Sequence, residues 1–182
     1  MPGTMLLHDA RLEGRAPSIA ENTYEVDKDT DLHHALRWIA WYANSRAGLR
    51  HLWVMCHGFY GNELQGKLQM SSPDETLGFG LQLCKQGLDR SNVDQTYVLK
   101  GHVSEITLYA CGPANTRRGL EGTFADGRMF CSELAYCSGA TVIAASQTQL
   151  YDTSFFGNVI DFGTWEGPVF RFSPDGSVSQ VK

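Results

Sequence analysis

The sequence predicts an α/β fold, a three-layer α-β-α sandwich around a largely parallel central sheet. Three observations lead there. Apolar runs of strand length, HLWVMC (51–56), VSEITLYA (103–110) and ATVIAAS (140–146), alternate with stretches of helical periodicity. The first two runs stop at His57-Gly58 and Cys111-Gly112, where open parallel sheets gather functional groups at the carboxyl ends of strands. The chain has 182 residues, 42% of them hydrophobic, enough for one domain with one core.

Residues 1–29 hold two strand-like stretches, Thr4–Leu7 and Thr23–Val26, parted by a loop with Gly14 and Pro17; an N-terminal hairpin at the sheet edge, or an extension, is expected. Residues 31–47 form a helix. Thr30 or Asp31 caps it, Leu32, Ala35, Leu36, Ile39 and Ala43 mark its buried face, and Gly48 ends it. After the 51–56 strand comes FYGNELQGKLQMSSPDETLG, read as a loop with a short hairpin, and then Leu77–Leu88, read as a helix interrupted by Gly78 and Gly80. The 103–110 strand leads into a glycine-containing stretch, 114–127. Arg128–Cys137 is helical and closes at Ser138-Gly139, and 140–146 is the third buried strand. The tail, 152–182, ends in two alternating runs around Pro174-Asp175-Gly176, hence a C-terminal hairpin.

A net charge of −5 without a Lys/Arg cluster gives no footprint for nucleic acid. No apolar run approaches the ~18 residues of a membrane helix, and the first residues lack the pattern of a signal peptide. The expectation is a cytoplasmic protein, or one exported by a specialised secretion system without a cleaved signal. The five cysteines, Cys56, Cys84, Cys111, Cys131 and Cys137, read as reduced thiols. No metal and no cofactor is expected, and the oligomeric state is left open.

Chemistry centres on His57 and Cys111. A thiol attacks only as the thiolate, of which a few per cent exists at neutral pH, so the reaction needs a base that takes the proton and returns it to a leaving amine. Adjacent parallel strands ending in His and Cys meet that need. Gly58 and Gly112 leave room for a substrate backbone, and their amides, with that of Cys111, are expected donors to an oxyanion. All six histidines precede Cys111, so its order with a catalytic histidine is His then Cys. Cys56 is expected to point to the opposite side of its strand as a core residue. Trp38, Trp41 and Trp53 are expected in the core, and Trp165 exposed or in contact with a partner.

Cys56-His57-Gly58, with Leu108-Tyr109-Ala110-Cys111-Gly112-Pro113 following so that Cys111 lies 54 residues after His57, resembles the caspase-like cysteine peptidases, the group of caspases, legumains, gingipains, separases and many bacterial members. Ala110, Cys111 and Gly112 match the caspase pattern; Tyr109 and Pro113 do not, which argues against true caspase identity and Asp specificity. GATVIAASQTQLY (139–151) is similar to the small-residue strand that lines the substrate pocket in bacterial members. The resemblance spans residues 31–151. It implies a caspase/haemoglobinase-like fold and a cysteine endopeptidase that hydrolyses peptide bonds of a protein or peptide substrate through a Cys111 thioester, with His57 as general acid and base and no fixed third residue. It places Ser146, Gln147 and Asp152 at the substrate pocket. Asp152, Glu63 or Asp161 could make that pocket acidic, and Arg117-Arg118 could be a self-cleavage site, although ordinary surface roles compete in each case. Two other readings stand beside it: a catalytically inactive caspase-like module that binds a peptide or protein, and a cysteine amidase acting on a non-protein amide such as a peptidoglycan cross-link.

Overall fold

A computed structural model describes residues 3–60, 76–116, 118–153 and 157–182. Most of the stretch read as a loop with a hairpin (61–75, including Glu63) and Arg117 lie outside them. The fold is mixed α/β, built on a mostly parallel seven-stranded sheet. Strands β1 (Gly3–Asp9), β2 (Asn22–Val26), β3 (Leu49–Met55), β7 (Val103–Tyr109) and β8 (Thr141–Ala145) run parallel, and β9 (Val169–Phe172) and β10 (Val178–Gln180) close one side as an antiparallel pair. The order across the sheet is β10-β9-β8-β7-β3-β1-β2. A second, three-stranded antiparallel sheet joins β4 (His57–Tyr60), β5 (Thr76–Gln82) and β6 (Leu88–Asp89).

Helix α1 spans Leu32–Ser45. Asp31 caps it through His34 N–H at 2.8 Å, and Gln86 accepts from Leu32 N–H at 2.9 Å, which satisfies two of the helix's orphan donors. Gly48, at φ +100°, returns its N–H to the Ala43 carbonyl and turns the chain into β3. Helix α2 spans Gly127–Ser138, capped by Asp126 and ended by Gly139 at φ +67°. Both helices, with a 3-10 segment at Val93–Leu99 that lay unassigned in the sequence, pack on one face of the sheet. Met5 and Leu7 of β1, Leu52 and Val54 of β3, Ile106 and Leu108 of β7, and Val142 and Ala144 of β8 point into that main core.

Four expectations are corrected. The strands of residues 1–29 are no edge hairpin: β1 and β2 are parallel, and β1 lies inside the sheet between β2 and β3. Met5, Leu6 and Leu7 are all buried, and that apolar run earns the interior place. The helix expected over Leu77–Leu88 is instead β5, a turn and β6. At Gly80 a Cβ would sit 2.5 Å from the Leu88 carbonyl oxygen, so that glycine serves a close strand crossing. The helices expected on both faces lie, among the described residues, on one. The opposite face is covered by irregular segments, with Leu12, Ala16, Ala20, Tyr151, Ile160 and Phe162 packed on Leu6, Trp53, Met55 and Tyr109. Finally, Trp41 is 65% exposed rather than in the core. Trp165 is half-buried, its ring stacked on Tyr109 at 5.0 Å.

Candidate active site

Strands β3 and β7 are in register at Met55↔Tyr109. Two residues further on the ladder has ended: His57 opens β4 of the second sheet and Cys111 lies in the turn after β7. Cys56 and Ala110 face the helix side and Met55 and Tyr109 the opposite side. The surroundings of His57 and Cys111 are set by the contacts each makes beyond the strand ends. There His57 meets the loop after β1: its Nε2 lies 3.1 Å from the Arg11 carbonyl oxygen. A carbonyl only accepts, so Nε2 carries the hydrogen, and in the neutral ring Nδ1 is the basic nitrogen. The Cys111 thiol, half-buried, donates to the Gln149 carbonyl at 3.7 Å.

Gly58 is tied to Cys111 by sterics. A Cβ at position 58 would stand 2.2 Å from the Cys111 carbonyl oxygen and 3.1 Å from its carbon, so only glycine lets β4 pass beneath the Cys111 turn. Gly112 has φ +55°, a conformation glycine adopts freely. Its amide, expected at the oxyanion, instead donates to the Gln147 carbonyl at 3.0 Å. A tight turn needs its backbone donors satisfied, and here the segment after β8 takes this one.

The segment after β8 builds the other wall. Ser146 is held away from the cleft: its N–H and hydroxyl both reach the Pro168 carbonyl, at 3.0 and 3.3 Å. Gln147 contributes its carbonyl, which receives Gly112 N–H and, at 3.1 Å, the Gln149 side chain. Asp152 pairs backbone to backbone with Asp161 and lines the rim of a cavity. Of the three residues expected in the pocket, then, Asp152 lines it, Gln147 supports it and Ser146 faces elsewhere.

Residues without a recognisable motif organise this site. Asp9, at the end of β1 and wholly inaccessible to solvent, accepts from Arg11 Nε (2.8 Å), Arg11 Nη2 (2.6 Å), Arg11 N–H (3.1 Å) and Cys84 N–H (2.8 Å). Arg11 Nη2 also donates to the Cys84 carbonyl at 2.8 Å. This network ties the loop carrying the Arg11 carbonyl to the turn after β5. The one available signal was a carboxylate ending the buried run Met5-Leu6-Leu7-His8-Asp9. Gln149, 3% exposed, is the second organiser: it donates to the carbonyls of Gln147 and Glu166 and accepts from Glu166 N–H at 3.2 Å.

The other cysteines are held as thiols. Burial, then the Asp9 charge, drives Cys56 well up and pushes Cys84 to about 12. Burial raises Cys131 and Cys137 as well. On the helix-free face an apolar cavity of about 440 Å³ lies against Met55 and Tyr109, with Ile19, Val159 and Phe162 as further walls. Among the described residues no three His, Cys, Asp or Glu side chains are placed to hold a metal ion, and no helix is long and apolar enough to cross a membrane.

No protein-family model, no curated protein and no solved structure matches this chain. What the site can do rests on its own geometry.

Proposed function

We propose that this protein is a cysteine peptidase of caspase-like kind, with Cys111 as nucleophile and His57 as general base and then general acid. The observation that carries the reading is the β3–β7 register. It supports the reading by bringing the chain segments that lead to His57 and Cys111 side by side, with the imidazole tethered through Nε2 so that Nδ1 is the nitrogen able to take a proton. A mostly parallel sheet whose adjacent strands lead into His-Gly and Cys-Gly supports the caspase/haemoglobinase-like likeness; among the described residues the helices cover one face.

In the resting arrangement the thiol hydrogen is directed at the Gln149 carbonyl. Rotation about the Cα–Cβ bond, between staggered wells, turns it to His57. His57 Nδ1 takes the proton and the thiolate adds to the substrate carbonyl carbon. The amides of Gly58 and Cys111 are the donors this reading assigns to the oxyanion, since Gly112 N–H is committed to Gln147. The C–N bond breaks as the imidazolium returns its proton to the amine, leaving a thioester on Cys111. Water, deprotonated by His57, attacks the thioester and releases the acid and the thiol. The Arg11 carbonyl holds the ring in one tautomer and stabilises the imidazolium, the part a carboxylate plays in other dyads. The substrate is a protein or peptide.

Labelling of the native protein with a thiol-directed acylating probe tests the reading, with the site located by mass spectrometry and His57→Ala run in parallel. Fast modification confined to Cys111 and slowed at least 100-fold in the variant is expected. Labelling at Cys111 that is slow and indifferent to His57 overturns catalysis and leaves a peptide-binding module. Fast labelling with turnover only of cell-wall amides redirects the substrate to peptidoglycan.

A further inference from the structure

Strand β2 is the outermost strand on its side of the seven-stranded sheet, and among the described residues only β1 pairs with it. The Val26 carbonyl accepts from Ala10 N–H at 2.8 Å, so Tyr24 and Val26 turn their backbone groups toward β1. Alternation along the strand turns those of Thr23 and Glu25 outward, where they have no ladder partner. We propose that this edge takes an extended strand of a partner protein, basic on one face and apolar on the other. Neither His57 nor Cys111 contributes to it.

The two faces of the edge differ. On the helix side Tyr24 begins a row of rings: Trp38 lies 4.5 Å from it, stacks on Tyr42 at 5.6 Å and reaches Trp41 at 6.3 Å, and Trp41 is 65% exposed. An apolar side chain of an added strand, set opposite Tyr24, extends that row. On the other face Glu25 is exposed and makes no hydrogen bond among the described residues; its Oε2 lies 3.6 Å from Nδ1 of His8. His8 is 1% exposed, and its Nε2–H donates to the Leu12 carbonyl at 3.0 Å. In the neutral ring Nδ1 is therefore a buried acceptor without a hydrogen-bond partner, aimed at the Glu25 carboxylate. Two acceptors face each other, and a Lys or Arg of the added strand, set opposite Glu25, offsets their repulsion.

Charge also decides against a second copy of this chain as the occupant. Consider β2 paired antiparallel with itself through its outward residues. Setting Thr23 opposite Thr23 puts Glu25 opposite Glu21. Setting Thr23 opposite Glu25 puts Glu21 opposite Asp27, and setting Glu25 opposite Glu25 opposes two carboxylates directly. Like charges directly opposed destabilise a strand pair, so each symmetric register is penalised. A strand with a basic residue at every second position reverses that sign, and its intervening apolar residues fall on the side of Tyr24 and the tryptophans.

The test uses the full chain carrying Cys111→Ala, so that no peptide is cut. A fluorescein-labelled peptide amide, Lys-Val-Lys-Val-Lys-Val, is titrated by fluorescence anisotropy beside its Glu-Val counterpart and its block isomer, Lys-Lys-Lys-Val-Val-Val. Binding of the alternating basic peptide about ten-fold tighter than either is expected, weakening with salt. Thr23→Pro removes the outward N–H and no bond to β1, a change that an edge strand tolerates, and is expected to weaken binding about ten-fold with an unchanged far-UV circular dichroism spectrum. Glu25→Lys is expected to weaken it about ten-fold and Trp41→Ala about three-fold. Both lie at exposed positions, so they decide the matter even where the proline variant folds poorly. Equal affinity for the alternating basic peptide and either comparison peptide overturns the proposal, as does binding of none of them, or binding that survives Glu25→Lys or a folded Thr23→Pro. A chain that sediments as a dimer, and as a monomer once Thr23→Pro is introduced, gives the edge to a second copy and overturns it too.

Discussion

Replacing Asp9 by asparagine separates the support of the proposed dyad from the proposed dyad itself. Asp9 Oδ1 accepts from Arg11 Nε and N–H, and Oδ2 from Arg11 Nη2 and Cys84 N–H. An asparagine keeps one acceptor and turns the other into a donor facing two donors. The Cys84 amide and Arg11 Nη2 then lose their Oδ2 acceptor, and the guanidinium, only 27% exposed, loses its charge partner. Removing one member of a buried pair costs about 3 to 5 kcal/mol, and the partial exposure of Arg11 puts this one at about 3. A domain with about 5 to 15 kcal/mol of stability still folds. The effect on chemistry has a different origin: the loop carrying the Arg11 carbonyl loses its anchor, the imidazole loses its fixed tautomer, and a displacement of about 1 Å at the reacting groups costs on the order of 100-fold in rate. Two assays read the two effects, urea unfolding for stability and the second-order rate of Cys111 labelling against pH for the site. Asp29→Asn, in the exposed pair with Lys28, is the control and should move neither. Loss of about 3 kcal/mol with an unchanged labelling rate and pH profile would refute the claim that the Asp9–Arg11 pair positions His57.

Gly58→Ala places a Cβ against the Cys111 carbonyl at 2.2 Å and should cost about 3 kcal/mol in urea unfolding, together with most of the Cys111 reactivity. Gln149→Ala strips the partners from both backbone groups of Glu166, at about 1 to 3 kcal/mol for each group left buried and unpaired, which a thermal melt reads. Burial pushes Asp126 up, but hydrogen bonds from Thr116, Gly122 and Met129 outweigh it and leave its carboxyl below the usual range. Its contribution is therefore present above the unfolded value of about 3.9 and lost as pH falls through the folded value, so a deficit of about 1 kcal/mol in Asp126→Asn at pH 7 should narrow below about pH 4 in denaturant titrations. Iodoacetamide at pH 8 should modify Cys111 in the native protein and reach Cys56, Cys84, Cys131 and Cys137 only in urea, as peptide mapping will show.

Where a pattern is local, sequence was enough. The buried face of α1, the runs that became β3, β7 and β8, and the turn around Asp175-Gly176 all follow from spacing alone. His57-Gly58 and Cys111-Gly112 stood out because both glycine-flanked motifs end such runs; that the two side chains act together is the proposal. What escaped depends on partners distant in the chain. Whether 4–7 and 23–26 pair parallel or antiparallel is decided by β3, which takes the other edge of β1. Whether Leu77–Leu88 winds or extends is decided by β4, with which β5 pairs. Asp9 and Gln149 carry no motif; they matter because folding brings them to carbonyls and amides of other segments.

Those two residues also explain why the site lies where it does. A helix satisfies its own backbone, so it can cover a sheet as a closed layer. On the opposite face the cover is instead made of irregular segments, whose backbone groups need partners from outside. Asp9 supplies them at the first crossing and Gln149 at the second, while Arg15 and Ile160 stitch the two segments together, with Arg15 N–H on the Asn158 carbonyl at 2.7 Å and Ile160 N–H on the Arg15 carbonyl at 2.9 Å. Each anchor also sets a group of the proposed chemistry: Asp9 the loop whose Arg11 carbonyl holds His57, Gln149 the carbonyl that receives the Cys111 thiol. Losing either anchor releases a covering segment without touching the helix-packed core. Function is therefore expected to fail at lower urea concentrations than the sheet unfolds, and a gap between Cys111 reactivity and far-UV circular dichroism along one urea series would expose it.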